Sequence, residues 1–205
     1  MMQYDVAAKV VVEHGKEAIL RWLLGVEAEY VELIEELPQE TATLRRSDFP
    51  LLVKPKDGKE KIVLLEFQTV WKREVPIRLL EYVARFKLKY RLPVLGVVLL
   101  FRKREGIEEV YEDESIRFKY RLIKLWKTKA DDVLNSQELW LYPFIPVMES
   151  EKSDIIEAEE GIYKSSLERR DKADLLTAIF RIQRGRDSQR IIKKEERHYD
   201  RVTCV

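Results

Sequence analysis

Residues 62–68, Ile62-Val63-Leu64-Leu65-Glu66-Phe67-Gln68, decide how this chain is read. The run has the look of a buried strand, yet it carries an acid and an amide two residues apart at its far end. Alternation puts Glu66 and Gln68 on one face, so an otherwise apolar element points two polar groups the same way. Upstream, Asp48 precedes a second strand-like run, Phe49-Pro50-Leu51-Leu52-Val53, and the polar stretch 54–60 between the two contains Asp57-Gly58, a strong hairpin signal. A two-residue loop, Asp57-Gly58, would set Phe49 opposite Glu66. A three-residue loop, Lys56-Asp57-Gly58 with Gly58 left-handed, shifts the pairing by one and sets Asp48 opposite Glu66. We expect the three-residue loop. Directly opposed β-carbons lie about 4.5–5.5 Å apart, close enough for two carboxylates to share a hard cation such as Mg2+ or Mn2+. The plainer reading is that Glu66 pairs with a nearby Arg and Asp48 caps a turn, since paired acids are also common in structural ion-pair networks.

Asp48, a hairpin and Glu66-x-Gln68 together resemble the metal-binding core of the PD-(D/E)XK nuclease superfamily. Five further stretches narrow the likeness: Tyr4-Asp5-Val6-Ala7-Ala8-Lys9, Leu64–Gln68, Arg78-Leu79-Leu80-Glu81-Tyr82, Leu92–Leu99 and Leu141–Met148. In their order and spacing they resemble the Rpn group of recombination-promoting nucleases, also described as transposase-like, over roughly residues 4–150. The resemblance implies a restriction-endonuclease-like α/β core, a mixed β-sheet flanked by helices, and metal-dependent cleavage of DNA connected with recombination or mobile elements. It assigns Asp48 and Glu66 to the metal, and Arg78 with Tyr82 to the phosphate or to support of the site. Ser47 stands where the superfamily name has Pro, and Gln68 where it has Lys. Gln68 can position an attacking water but cannot supply a positive charge. Lys72 and Arg73, just past the strand, are candidates for that charge and for nucleic-acid contact. An inactive nucleic-acid-binding or oligomerisation module that keeps the nuclease fold is the competing expectation.

The remaining chemistry is sparse. A single cysteine, Cys204, excludes an internal disulfide, and two histidines, His14 and His198, without Cys-x-x-Cys argue against structural zinc. Any metal should therefore be held by oxygen. The seven glycines form no phosphate-binding loop, which argues against an ATPase or a dinucleotide enzyme. Net charge is only +1, so a nucleic-acid partner must be met by a local basic patch. No apolar run approaches the ~18 residues of a membrane span, and no signal-peptide pattern opens the chain. The expectation is a cytoplasmic protein with no membrane partner.

Along the chain, residues 5–24 show helical periodicity stopped by Gly25. A second helix or an extended segment follows as far as Pro38. Pro76 suits the first turn of a helix running to about Arg91 and halted before Pro93. On that helix Arg78, Tyr82, Arg85 and Lys89 are spaced to make one basic stripe, which by base rate is a solvated face. Val94–Phe101 is apolar on both faces, as a central strand is, and strand, helix, buried strand in that order imply a parallel crossover. Val110-Tyr111 and Phe118–Trp126 are expected as one or two further strands. Leu139–Pro146, broken by two prolines, reads as an irregular cover on the core. Beyond Ser150 charged helix formers take over, so the expected organisation is a nuclease-like domain over 1–150 and a charged helical segment over 151–205. That segment is a candidate for homodimer formation, and its last stretch, from Arg184, is weakly anchored.

Overall fold

The computed structural model describes residues 3–34 and 49–202, with the side chains of 3–6 and 187–202 excepted. Helix α1, Gln3–Ala18, is kinked at Gly15 (φ −113°, ψ 16°) and continues as a π-helical stretch, Ile19–Leu23. Gly25, at φ +65°, ends it as expected: its N–H reaches the Arg21 carbonyl at 3.1 Å and the Val26 N–H reaches that of Leu20 at 2.9 Å. The segment after it is extended, β1 Ala28–Leu33, followed by β2 Phe49–Pro55 and β3 Lys61–Gln68.

Phe49 pairs with Leu65 and Val53 with Lys61, the register of the three-residue loop and one step away from that of the two-residue loop. The connection itself differs from the expectation. Pairing between β2 and β3 stops at Val53–Lys61, and Gly58 is not among the glycines with positive φ. The last residues of β2 are held by β1 instead, Ala28 facing Pro55 and the Lys56 N–H bonding the Glu27 carbonyl at 2.9 Å, so no tight reversal is forced on Gly58. Asp48, the residue on which the expected carboxylate pair depends, lies outside the described residues.

Helix α2, Val75–Tyr90, starts with Pro76 in its first turn and ends at Arg91 in the left-handed conformation, two residues before Pro93. It connects β3 to β4, Val94–Leu100, and the two strands are parallel. β5 Val110–Glu112 and β6 Arg117–Lys119 form a small antiparallel pair, and β7 Arg121–Lys124 runs parallel to β4. The five-stranded sheet has the order β1-β2-β3-β4-β7, so the strand that is apolar on both faces is an interior one. The expected strand over Phe118–Trp126 is split at Tyr120, whose N–H bonds the Glu109 carbonyl at 3.0 Å and whose hydroxyl donates to the Glu108 carbonyl at 2.6 Å. Leu125–Lys127 then turn into a 3-10 helix.

The core of this unit lies between α2 and one face of the sheet. Val75, Leu79, Tyr82, Val83 and Phe86, one stripe of the helix, pack with Ile62, Leu64, Val98 and Leu100. Gly96 sets the distance of approach: a β-carbon there would lie 2.9 Å from Leu79 Cδ2.

The chain divides into two compact units, 12–127 and a second that joins 1–11 to 128–205. In the second, α3 Ala130–Ser136, α4 Lys152–Lys164 and α5 Arg169–Val202 surround the 3-10 run Leu139–Val147, which contains Pro143 and Pro146. Residues 141–147 are all buried. The run is irregular, as its prolines dictate, but its packing partners are these helices. The division accordingly falls at Lys127 rather than at the change of composition near Ser150, and the backbone beyond Arg184 stays helical to Val202.

Two measurements check this packing. Gly96→Ala should cost about 1–3 kcal/mol, as overpacked cores do, read as a lower urea midpoint with an unchanged slope. Burial, aided by the Glu109 and Glu108 charges, pushes the Tyr120 hydroxyl from 10.0 up to about 12. Between those values the unfolded chain loses this proton before the folded one does, so the contribution present below pH 10.0 is lost as pH rises toward 12. The ultraviolet titration of tyrosinate should therefore show a late step near pH 12 that Tyr120→Phe removes.

Candidate active site

Strand alternation places Glu66 on the same face as Ile62 and Leu64, beneath α2, and its exposure is 3%. Among the described residues it is the one charged side chain counted in the buried set. A carboxylate in such surroundings is costly unless it is paired and hydrogen-bonded. Two groups from different elements converge on one of its oxygens. Gln68 Nε2 donates to Glu66 Oε1 at 3.0 Å, and the Arg78 guanidinium forms a short ion pair with the same oxygen.

The convergence follows from local structure. Glu66 and Gln68 are two residues apart on one strand, which sets them side by side on one face. The six residues 69–74 return the chain so that α2 begins beside the carboxyl end of β3, with Arg78 at its fourth position. Across the parallel ladder Glu66 faces Val98 and Gln68 faces Leu100, so the polar trio has an apolar wall. On the other face of β3, Phe67 contacts the rings of Phe49 at 5.5 Å and Phe101 at 6.1 Å.

The other expected residues fall elsewhere. Tyr82, one turn beyond Arg78, is 1% exposed and belongs to the apolar core. Lys72 and Arg73 lie exposed on the 69–74 connection, with Lys72 Nζ 3.9 Å from Glu74. The expected basic stripe is thus not a single surface: Tyr82 is core, Arg85 is half-buried, and Lys89 is exposed with its ammonium 4.8 Å from the Tyr90 ring centre. The spacing of Val75, Leu79, Tyr82 and Phe86 carried the signal that Tyr82 belongs to the buried stripe. Sequence reasoning also passed over Arg102-Lys103-Arg104, directly after the most apolar strand. Arg104 Nη1 donates to the Trp71 carbonyl at 2.9 Å and so ties that segment to the one carrying Lys72 and Arg73.

As donors to a metal, Glu66 offers a carboxylate and Gln68 an amide oxygen, both suited to a hard cation. No group of three His, Cys, Asp or Glu side chains arranged to hold a metal occurs among the described residues. The oxygen chemistry fits Mg2+, which keeps several of its waters and needs only one or two carboxylates, but the set is complete only with Asp48.

Set against protein-family models, curated proteins and solved structures, the chain matches none of them.

Removing one partner of a buried ion pair leaves the other uncompensated, at a cost of about 3–5 kcal/mol. Arg78→Met should therefore destabilise the α/β unit strongly, while Arg78→Met combined with Glu66→Met should recover most of the loss. Urea unfolding of the two single variants and the double variant measures the coupling; additive effects would mean that the pair is not one energetic unit.

Proposed function

We propose that this chain is a metal-dependent DNA endonuclease of the PD-(D/E)XK type, nearest to the Rpn group, that hydrolyses phosphodiesters in recombination or in the movement of mobile elements. The observation that carries the reading is the buried Glu66, met by Gln68 and Arg78 at the carboxyl end of an interior strand of a mixed sheet. The sheet, with helix α2 crossing between parallel β3 and β4, is compatible with that core. The β2–β3 register, with Phe49 facing Leu65, is the one expected of a three-residue loop; Asp48 itself lies outside the described residues.

In this reading Asp48 and Glu66 would hold Mg2+ or Mn2+, which when bound would polarise the phosphodiester and activate water. Gln68 would position the attacking water. Arg78 orients the Glu66 carboxylate and brings a positive charge to the place where Gln68 leaves one missing, stabilising charge that develops on the phosphate. Tyr82, buried in the core one turn beyond Arg78, supports the site rather than the phosphate in this reading. A cytoplasmic location belongs to the same proposal; no helix of the described residues is long and apolar enough to cross a membrane.

The Arg78–Glu66 pair itself favours a second reading. A guanidinium seated on the carboxylate can close the site, which would leave an inert nucleic-acid-binding or oligomerisation module.

Supercoiled plasmid incubated with the purified protein in Mg2+, in Mn2+ and in EDTA separates the two. Metal-dependent nicking that disappears in Glu66→Ala and in Asp48→Ala is the expected result, with Arg78→Lys reduced but active. Intact plasmid and intact RNA in every metal lane would favour the inert module.

A further inference from the structure

β3, β4 and β7 are parallel neighbours and end level with one another, Gln68 beside Leu100 and Leu100 beside Lys124. The Phe101 N–H donates to the Gln68 carbonyl at 3.0 Å, so the first two strands stay joined to their last residues. Three segments leave this end of the sheet: 69–74, 101–106 and the turn 125–127. With the rest of the β4–β5 connection, 107–109, they hold six Lys or Arg, namely Lys72, Arg73, Arg102, Lys103, Arg104 and Lys127, against four acids, Glu74, Glu105, Glu108 and Glu109, of which Glu109 is turned back to the Leu122 N–H at 2.8 Å. Over the whole chain the two signs balance, 38 to 37. The excess is therefore local, and it borders the Glu66 trio.

We propose that this end of the sheet is a basic rim that grips the phosphate backbone of a nucleic-acid duplex beside Glu66. All the basic residues except the half-buried Arg102 are exposed. The acids nearby hold their lysines weakly: Lys72–Glu74 and Lys103–Glu105 are both 3.9 Å apart between exposed groups, contacts that contribute little and give way to a phosphate. At the opposite edge of the sheet, Lys54 and Lys56 are engaged at 2.7 and 3.2 Å by Glu29 and Glu27. Three adjacent strand ends span roughly 10 Å, the axial rise of about three base pairs of a duplex. The Arg104–Trp71 bond fixes the 101–106 segment against the 69–74 segment, so the charges are presented together. Naming the anion as nucleic acid rests on the nuclease reading above; the surface rests on charge and topology.

The test is binding of the full chain to a short fluorescent DNA duplex in EDTA, by anisotropy across a salt series, with plasmid cleavage in Mg2+ measured in parallel. Lys103→Glu with Arg104→Glu is one rim pair. Arg73→Glu with Lys127→Glu is a second on different segments, needed because Arg104 also bonds Trp71; a pair counts only if its urea midpoint is unchanged. Lys59→Glu with Lys87→Glu, exposed near the amino ends of β3 and β4, is the control of equal charge. Each rim pair should weaken binding at least ~10-fold and lower the slope of log affinity against log salt by about two, while the control stays within about twofold. Rim pairs that behave like the control overturn the rim, and if the wild type still cuts plasmid the nuclease reading survives alone. A wild type that neither binds nor cuts overturns both. Binding to phosphatidylserine vesicles but not to the duplex, lost in the rim pairs, keeps the surface and overturns its nucleic-acid partner.

Discussion

The ion pair between Glu66 and Arg78 joins the end of β3 to the first turns of α2, and the arrangement around it depends on that tie. Placing a carboxylate at 3% exposure within an apolar layer is unfavourable by itself. Arg78 and Gln68 offset that cost and fix the geometry. Hydrophobic residues of similar volume often do as well or better in such places, so stability alone does not account for an acid here. The apolar contacts of Leu79, Tyr82 and Phe86 would hold α2 on the sheet in any case. What the ion pair adds is position: it fixes which turn of the helix lies over the carboxyl end of the strand.

The sheet is built so that its interior and its margins differ in kind. β4 is apolar on both sides and needs neighbours on both, which β3 and β7 provide. β1, at one margin, has a bulge between Ala28 and Tyr30, and its solvent side carries Glu29, Tyr30 and Glu32, with Lys54 of β2 bound to Glu29. A bulge and charges on an edge strand discourage pairing with another chain. Glu66 and Gln68 lie inward of that margin, on a strand with a neighbour on each side.

Much of this was legible in the chain. Two-residue alternation put Glu66 beside Gln68, Pro76 and Pro93 bracketed α2, and the continuous apolar run of β4 declared an interior strand. The features that were not legible depend on distance in sequence. A nearby Arg for Glu66 was foreseen, but that it is Arg78 depends on how the six residues between β3 and α2 turn. The split of 118–126 at Tyr120 depends on Glu108 and Glu109, ten and more positions earlier. Leu139–Val147 is so uniformly apolar, and so interrupted by proline, that no period says what it packs against. Tyr82 is a different case: the 75/79/82/86 spacing marked it as core, and its place among charged residues obscured that.

One unit of the protein is continuous in the chain and the other is not. On the ribosome, residues 12–127 present every strand of the large sheet before the later helices are made, and the β3–α2–β4 contacts can form as soon as that stretch emerges. Residues 1–11 have no such liberty, since the partners they join begin at 128. The α/β unit, which contains the Glu66 trio, thus has all its parts in one stretch of chain, whereas the first turns of α1 belong with residues that follow 127. The kink at Gly15 falls four residues past that change of allegiance.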